Sequence, residues 1–321
     1  MEFDALSKGQ ILGPYEWVDP PEYPIGSHEG IVTLVVIGPD KMLTEIGTAF
    51  IIQSRQDKAI AMTAAHNIHD GVRLAQRPYR RHHPSTPSEF LPEQTISAGS
   101  SAMRAIVISG DRVEVCLIGD VIWDQDADLA VLTILTPDPM DRDLFRSHFT
   151  IAASDPLPGD MVCVLGFCGY QSTMYVIQDH QGTLEHQRVM RIGTVVDIHS
   201  GGLRRNSSPY VEATMPTYAG MSGAPCFLVG PTQTAEVFGI LSSSGGSSSS
   251  AQDDIDDPIK RDHRVRGSSM FAVIPREVIK LDGGSQVVRL AIHISGTARN
   301  PDVDSARLEV DWQWIETGPI A

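Results

Sequence analysis

Between Gly30 and Ser242 the chain is cut into short apolar or alternating runs, each bounded by glycine, proline or aspartate. Runs of that length and boundary chemistry are strands rather than helices. A first group covers Gly30–Ile37, Leu43–Ile52, Ala59–Thr63, Arg112–Ile118 and Leu129–Leu135. A second follows Pro156-Leu157-Pro158-Gly159 and covers Met161–Gly166, Met174–Gln178, Val189–Ile198, Tyr210–Ala213, Cys226–Val229 and Val237–Ser242. The spacing predicts an all-β chain with two cores joined near residues 136–158. Helical pattern is scarce. Its best candidate is Pro275–Leu281, where proline would occupy the first turn.

After the second group, Ser242–Ser250 contains only serine and glycine, and Asp253, Asp254, Asp256 and Asp257 follow before Pro258. Such a segment buries nothing, so a flexible acidic loop over residues 243–258 is expected. It directly follows the last strand of the second group and is placed to gate a cleft beside it. If it does, shortening residues 246–257 changes the turnover of peptides. Ser269–Ile274 returns to strand pattern and Gln286–Ile294 alternates, so residues 282–321 read as an extension carrying a strand pair.

The chain has 321 residues, 41% hydrophobic and 20% charged, enough apolar content to exclude global disorder. Its net charge of −15 argues against a nucleic-acid partner, which calls for a basic face. One basic cluster, Arg73, Arg77, Arg80, Arg81, His82 and His83, reads as a solvated loop. Residues 1–29 form an acidic arm without the basic start and apolar stretch of a secretory signal, and no run is long enough to span a bilayer. A cytoplasmic protein, with no membrane association, is therefore expected. Cys116, Cys163, Cys168 and Cys226 have neither disulfide-scaffold density nor paired metal spacing, so reduced, mostly buried thiols and no metal site are expected.

Three short segments carry chemistry in a fixed order: Thr63-Ala64-Ala65-His66, then Asp128-Leu129-Ala130-Val131-Leu132, then Gly220-Met221-Ser222-Gly223-Ala224-Pro225. A serine hydroxyl is a weak nucleophile near neutrality, so it needs a base and a third group that holds the base in the right tautomer. His66 and Asp128 can fill those roles for Ser222. Asp124 and Asp126 are rivals for the acid, and Asp128 is preferred because the apolar strand starts immediately after it. Gly220 can take a positive φ and turn its N–H inward, so the amides of Gly220 and Ser222 would form an oxyanion hole. His69, three residues past His66, is expected on the surface of a short helical turn.

On these motifs the chain resembles the trypsin/chymotrypsin-like serine proteases from about Gly30 to Leu281. The likeness is closer to the bacterial and HtrA-type members, because Met270-Phe271-Ala272-Val273-Ile274-Pro275 resembles their closing strand and helix. No PDZ domain fits after Leu281. The resemblance implies two six-stranded antiparallel β-barrels, residues 30–148 with His66 and Asp128 and residues 149–281 with Ser222, and an active site in the cleft between them. It implies a serine endopeptidase that acts on a protein or peptide substrate through an acyl-enzyme with no cofactor, and leaves room for a regulatory protein partner. Met221 stands where the digestive enzymes carry an aspartate that pairs with a newly cut N-terminus, so activation by N-terminal cleavage is not expected. By the same resemblance the substrate pocket has Pro216 at its base with Thr217 beside it, and Ser242, Ser243 and Ser244 as a wall. None of these is a carboxylate, so a neutral side chain is expected there.

Two other readings remain. Ser222 in Gly-Met-Ser-Gly-Ala faintly resembles the nucleophile elbow of the α/β-hydrolases, but Gly223 and Pro225 break the helix that fold needs, and His66 and Asp128 precede the serine. The other is a catalytically silent trypsin-like fold serving as a protein-binding or scaffolding module. Reactivity of Ser222 separates it from the enzyme.

Overall fold

The structure is a computed structural model that describes residues 27–37, 42–55, 58–76, 103–109, 112–137, 144–145, 148–168, 175–176, 187–202, 207–215, 217–218, 220–228, 236–244, 268–280, 286–293, 295–298 and 316–317. The acidic arm before residue 27, the basic cluster beyond Arg73, Pro216 and the loop from 245 to 267 lie outside the described residues.

The first group of strands closes on itself. β1 (Ile31–Ile37), β2 (Met42–Ser54), β3 (Lys58–Ala64), β4 (Met103–Ser109), β5 (Arg112–Asp124) and β6 (Leu129–Leu135) pair in the order β1-β4-β5-β6-β3-β2, and β2 returns to β1. The second group does the same. Beyond the short β7 (Thr150–Ile151), the strands β8 (Met161–Cys168), β10 (Gln187–His199), β11 (Tyr210–Ala213), β12 (Pro225–Leu228), β13 (Glu236–Ser244) and β14 (Ser269–Val273) pair as β12-β8-β10-β11-β14-β13, and β13 returns to β12. These are two closed six-stranded antiparallel barrels, as the resemblance implied. The short β9 (Tyr175–Val176) adds to β2 of the first barrel.

Alternation explains why the strands are apolar on both faces. Along β2, Ala49 and Ile51 fill the first barrel, while Phe50 and Ile52 face outward into a third apolar layer. Along β8, Val162 and Val164 fill the second barrel, and Cys163, Leu165 and Phe167 face that same layer. Phe50, Phe149 and Phe227 meet there, with Phe50 edge-on to Phe149 at 5.7 Å. Each fully buried aromatic contributes about 1.5–3 kcal/mol, so the two barrels dock as one hydrophobic unit. Small residues such as Ala59, Ala61 and Ala105 point into the first barrel, whose narrow interior has room for little more.

Two features differ from the sequence expectations. Pro275–Leu281 forms no helix: Arg276–Lys280 is a strand, β15, paired antiparallel with β16 (Gln286–Leu290). Proline is as acceptable at the start of a strand as in a first helical turn, and β-branched Val278 and Ile279 with a partner strand decide the outcome. The turn after His66 extends to a helix, α1 (Ala65–Gln76). His69 is buried at 3% exposure, its ring edge-on to Trp123 at 5.4 Å, and burial pushes its pKa down. Within residues 282–321, β18 (Glu316–Thr317) pairs antiparallel with β16, and β17 (Gly296–Ala298) adds to β5 of the first barrel.

Candidate active site

The three motif residues come together where the barrels meet. β3 ends at Ala64 and α1 begins at Ala65, which places His66 in the first turn of the helix. β5 and β6 are joined by the turn 125–128, which places Asp128 at the entrance to β6 beside that helix. Asp128 takes a left-handed φ of 49°. Its carbonyl accepts from the Ala65 amide at 3.1 Å and its Oδ1 from the His66 amide at 3.1 Å, so the helix start and the turn are tied through backbone as well as side chain.

The His66 Nδ1–H donates to the Asp128 carboxylate, 2.9 Å from Oδ2 and 3.1 Å from Oδ1. That fixes the tautomer and leaves Nε2 with a lone pair. Nε2 accepts a short hydrogen bond from Ser222 Oγ. Burial lowers the His66 pKa, but the charge and hydrogen bond of Asp128, with the more distant Asp70 added, outweigh it and leave the pKa raised above 6.5. Of the rival acids, Asp124 turns its carboxylate to backbone amides and Asp126 is exposed. Only Asp128 among them reaches His66.

Ser222 sits on a loop built around two left-handed glycines, Gly220 at φ 91° and Gly223 at φ 83°. A side chain at either position would collide with its surroundings, at Gly220 with Glu45 Oε1 2.6 Å from the Cβ position and at Gly223 with Thr63, Thr48 and Asn67. The loop satisfies its other amides internally: Met221 donates to the Tyr218 carbonyl, Ala224 to Met221 and Gly223 to Leu241. Among the described residues the amides of Gly220 and Ser222 have no such acceptor.

Ser242 and three residues absent from the sequence reading of the site, Thr48, Asn67 and Glu45, complete it. Ser242 Oγ donates a short hydrogen bond to Asp128 Oδ2, and Tyr210 Oη lies 3.4 Å from the same hydroxyl. The Ser242 hydroxyl, expected on a pocket wall, thus faces the carboxylate. Thr48 of β2 binds the serine loop at several points: its amide donates to the Ser222 carbonyl at 2.7 Å, and its hydroxyl donates to the Gly220 carbonyl at 2.8 Å. The Phe167 amide donates to that hydroxyl in turn, at 3.1 Å. Asn67, 1% exposed, donates to the Ser222 carbonyl at 2.8 Å and to Thr63 Oγ1 at 3.0 Å. Glu45, also on β2, turns a buried Oε1 toward Gly220, and burial lifts its carboxyl to about 7. No spacing rule in the sequence links Thr48 and Asn67 to Ser222, since both act on backbone carbonyls far along the chain.

Of the expected pocket residues, Thr217 Oγ1 lies 2.9 Å from Ser269 Oγ on β14, and Ser269 in turn donates to the Met215 carbonyl. The backbone of Ser244 pairs with Ser269. Next to Thr217, the Tyr218 hydroxyl lies 2.5 Å from a guanidinium nitrogen of the buried Arg191. Cys116, Cys163 and Cys226 are buried and form no disulfide among the described residues, and burial raises the Cys163 and Cys226 thiols well above the usual range.

Comparison with family profiles matches residues 47–240 to the trypsin-like peptidase domain. Among solved structures, the active form of the Rv3671c protease from M. tuberculosis is similar at 16% identity, covering 79% of this chain and 82% of that one with a TM-score of 0.44. The thermostable serine protease AL20 from an extremophilic microorganism is similar at 13% identity, with coverage of 77% and 92% and a TM-score of 0.43. The MamO protease domain from Magnetospirillum magneticum is similar at 14% identity, with coverage of 78% and 93% and a TM-score of 0.43. No curated protein matches the chain.

Proposed function

The chain belongs to the trypsin-like peptidase domain family, and from that premise we propose that it is a serine endopeptidase with Ser222 as nucleophile, His66 as base and then acid, and Asp128 as the group that orients the imidazole. The observation that carries the reading is the unbroken chain of hydrogen bonds from Ser222 Oγ to His66 Nε2 and from His66 Nδ1 to Asp128.

In this reading His66 Nε2 takes the Ser222 proton as Oγ attacks the scissile carbonyl. The imidazolium that forms is stabilised by Asp128, which stays ionised. Negative charge develops on the carbonyl oxygen between the amides of Gly220 and Ser222, two fixed donors that do not reorganise as the charge appears. His66 then hands its proton to the leaving amine, an acyl-enzyme remains on Ser222, and water activated by the same histidine releases the acid. Ser242 adds a second side-chain donor to Asp128 and keeps the carboxylate aimed at Nδ1. The acyl side of the substrate lies against Pro216, Thr217 and the β13 edge from Ser242 to Ser244, a neutral lining that disfavours Lys or Arg. Residues 30–148 and 149–281 act as the two catalytic barrels and 282–321 as an extension.

A cytoplasmic location belongs to the same proposal. It is supported by three buried cysteines that form no disulfide among the described residues, and cell fractionation tests it. No helix among the described residues is long and apolar enough to cross a membrane.

Digestion of an unfolded protein substrate tests the activity. The wild-type chain should produce internal cleavages and Ser222→Ala none, and a Ser222→Ala chain that cleaves as well as the wild type would overturn the assignment.

A further inference from the structure

The turn that carries Asp128 is held from outside both barrels. Asp128 sits in the left-handed region at φ 49°, a conformation unfavourable to a non-glycine residue that persists only when its surroundings impose it. Within the turn, the one backbone bond is a long one, Asp128 amide to Gln125 carbonyl at 3.3 Å. Beyond the bonds of Asp128 to Ala65, His66 and Ser242 and a long one from the Ser208 amide to the Asp126 carbonyl at 3.4 Å, the restraints on the turn come from the segment after β16. The His293 amide donates to Asp124 Oδ2 at 3.0 Å, and the other oxygen of that buried carboxylate accepts from Ala127 at 3.1 Å. The Gln125 amide donates to Ser295 Oγ at 3.0 Å, the Ser295 amide donates to the Trp123 carbonyl at 2.8 Å, and β17 continues the pairing along Trp123, Ile122 and Val121. Val288 and Leu290 anchor the start of this segment in the apolar layer between the barrels.

We propose that His293, Ser295 and β17 form a strap that positions Asp128 for the reaction, so that the C-terminal extension is a working part of the active site. The inference rests on the serine-peptidase reading. Without the strap, the Gln125 amide and one oxygen of Asp124 lose their partners, and Asp128 is held only from its own side of the turn, by Ala65, His66 and Ser242. A shift of even a few tenths of an ångström matters, because Asp128 must meet His66 Nδ1, the His66 amide and Ser242 Oγ at once.

The experiment uses the full chain. Wild-type labelling by a fluorophosphonate is measured first, since its absence sinks the peptidase reading itself, and the strap with it. Given labelling, Ser295→Ala and His293→Pro, which removes the amide donor, are compared with the wild type for kcat, KM and pH profile. Loss of one hydrogen bond corresponds to a kcat about three- to tenfold lower, with KM little changed and Ser295→Thr recovering most of the rate. The pH midpoint should also move down, because a loosened Asp128 no longer supports the imidazolium; Asp70, the other charge acting on His66, is left in place. A strap that only stabilises the fold would lower the melting temperature and leave kcat and the pH midpoint where they were. That result would overturn the proposal. If His293→Pro does not fold, Ser295→Ala and Asp124→Asn decide the matter in the same measurements.

Discussion

Asn67 Nδ2 donates to the carbonyl of Ser222 across 155 positions of sequence, so the residue next to the proposed base holds the proposed nucleophile. The same amide group reaches Thr63 Oγ1, whose hydroxyl donates to the Thr48 carbonyl at 2.7 Å. Ser222, His66 and the first barrel are therefore fixed as one unit, through backbone as well as through the reactive atoms. Gly47 and Gly223 leave the space that the Asn67 side chain fills.

Asn67→Ala removes one of two donors to the Ser222 carbonyl and leaves the Thr63 hydroxyl short of a partner. The cost is about 1–3 kcal/mol of stability, read by urea unfolding. Because the serine backbone is then free to shift, kcat should fall by about tenfold or more with little change in KM. Unchanged kcat in the folded variant would show that Thr48 alone suffices.

Gly220→Ala forces a side chain into a left-handed backbone and against Glu45 Oε1. The loop is expected to turn its amide away from the oxyanion position, at a cost of roughly 10²–10³ in kcat. Gly223→Ala meets backbone and buried polar atoms instead of a flexible side chain. It is expected to yield little folded protein, measured as soluble expression and melting temperature.

Two groups set the pH dependence. The His66 pKa is raised, and the base must be neutral to act, so kcat/KM should climb with a midpoint above 6.5. Glu45 is raised by burial from 4.5 to about 7, which makes its ionised form unfavourable in the folded chain. Its contribution to stability is therefore full below pH 4.5 and lost as pH rises toward 7. Above that, a carboxylate beside Gly220 opposes the developing oxyanion. Glu45→Gln should raise kcat/KM at pH ~8.5, leave it nearly unchanged at pH ~6 and stabilise the fold at the higher pH. Equal effects at both values would contradict this role.

Ser242→Ala leaves Asp128 with His66 as its remaining side-chain donor. The expected result is a kcat lower by about three- to tenfold with the melting temperature little changed. A shift in KM without a change in kcat would instead assign Ser242 to the substrate pocket.

Much of this architecture was legible in the chain. Strand after strand is marked by an apolar run that ends at glycine, proline or aspartate, and the double burial of β2 and β8 is what makes those runs continuous. His66, Asp128 and Ser222 stand in short segments whose neighbours are constrained by backbone geometry, so the sequence announces them. Asn67, Thr48 and Ser295 act on carbonyls and amides that every residue possesses, and no pattern of side chains marks such a partner. β15 is misread because proline and a mixed run of five residues suit a helix start as well as a strand, and β16, the partner that decides it, lies further along the chain.

The central claim is that Ser222 is an activated nucleophile. Intact-mass analysis after fluorophosphonate treatment of the wild-type chain beside Ser222→Ala, His66→Ala and Asp128→Ala tests it directly. The account predicts a single adduct on the wild type, none on Ser222→Ala, and much slower labelling of the other two. A folded wild-type chain that takes no adduct, or an adduct that persists in Ser222→Ala, would contradict it.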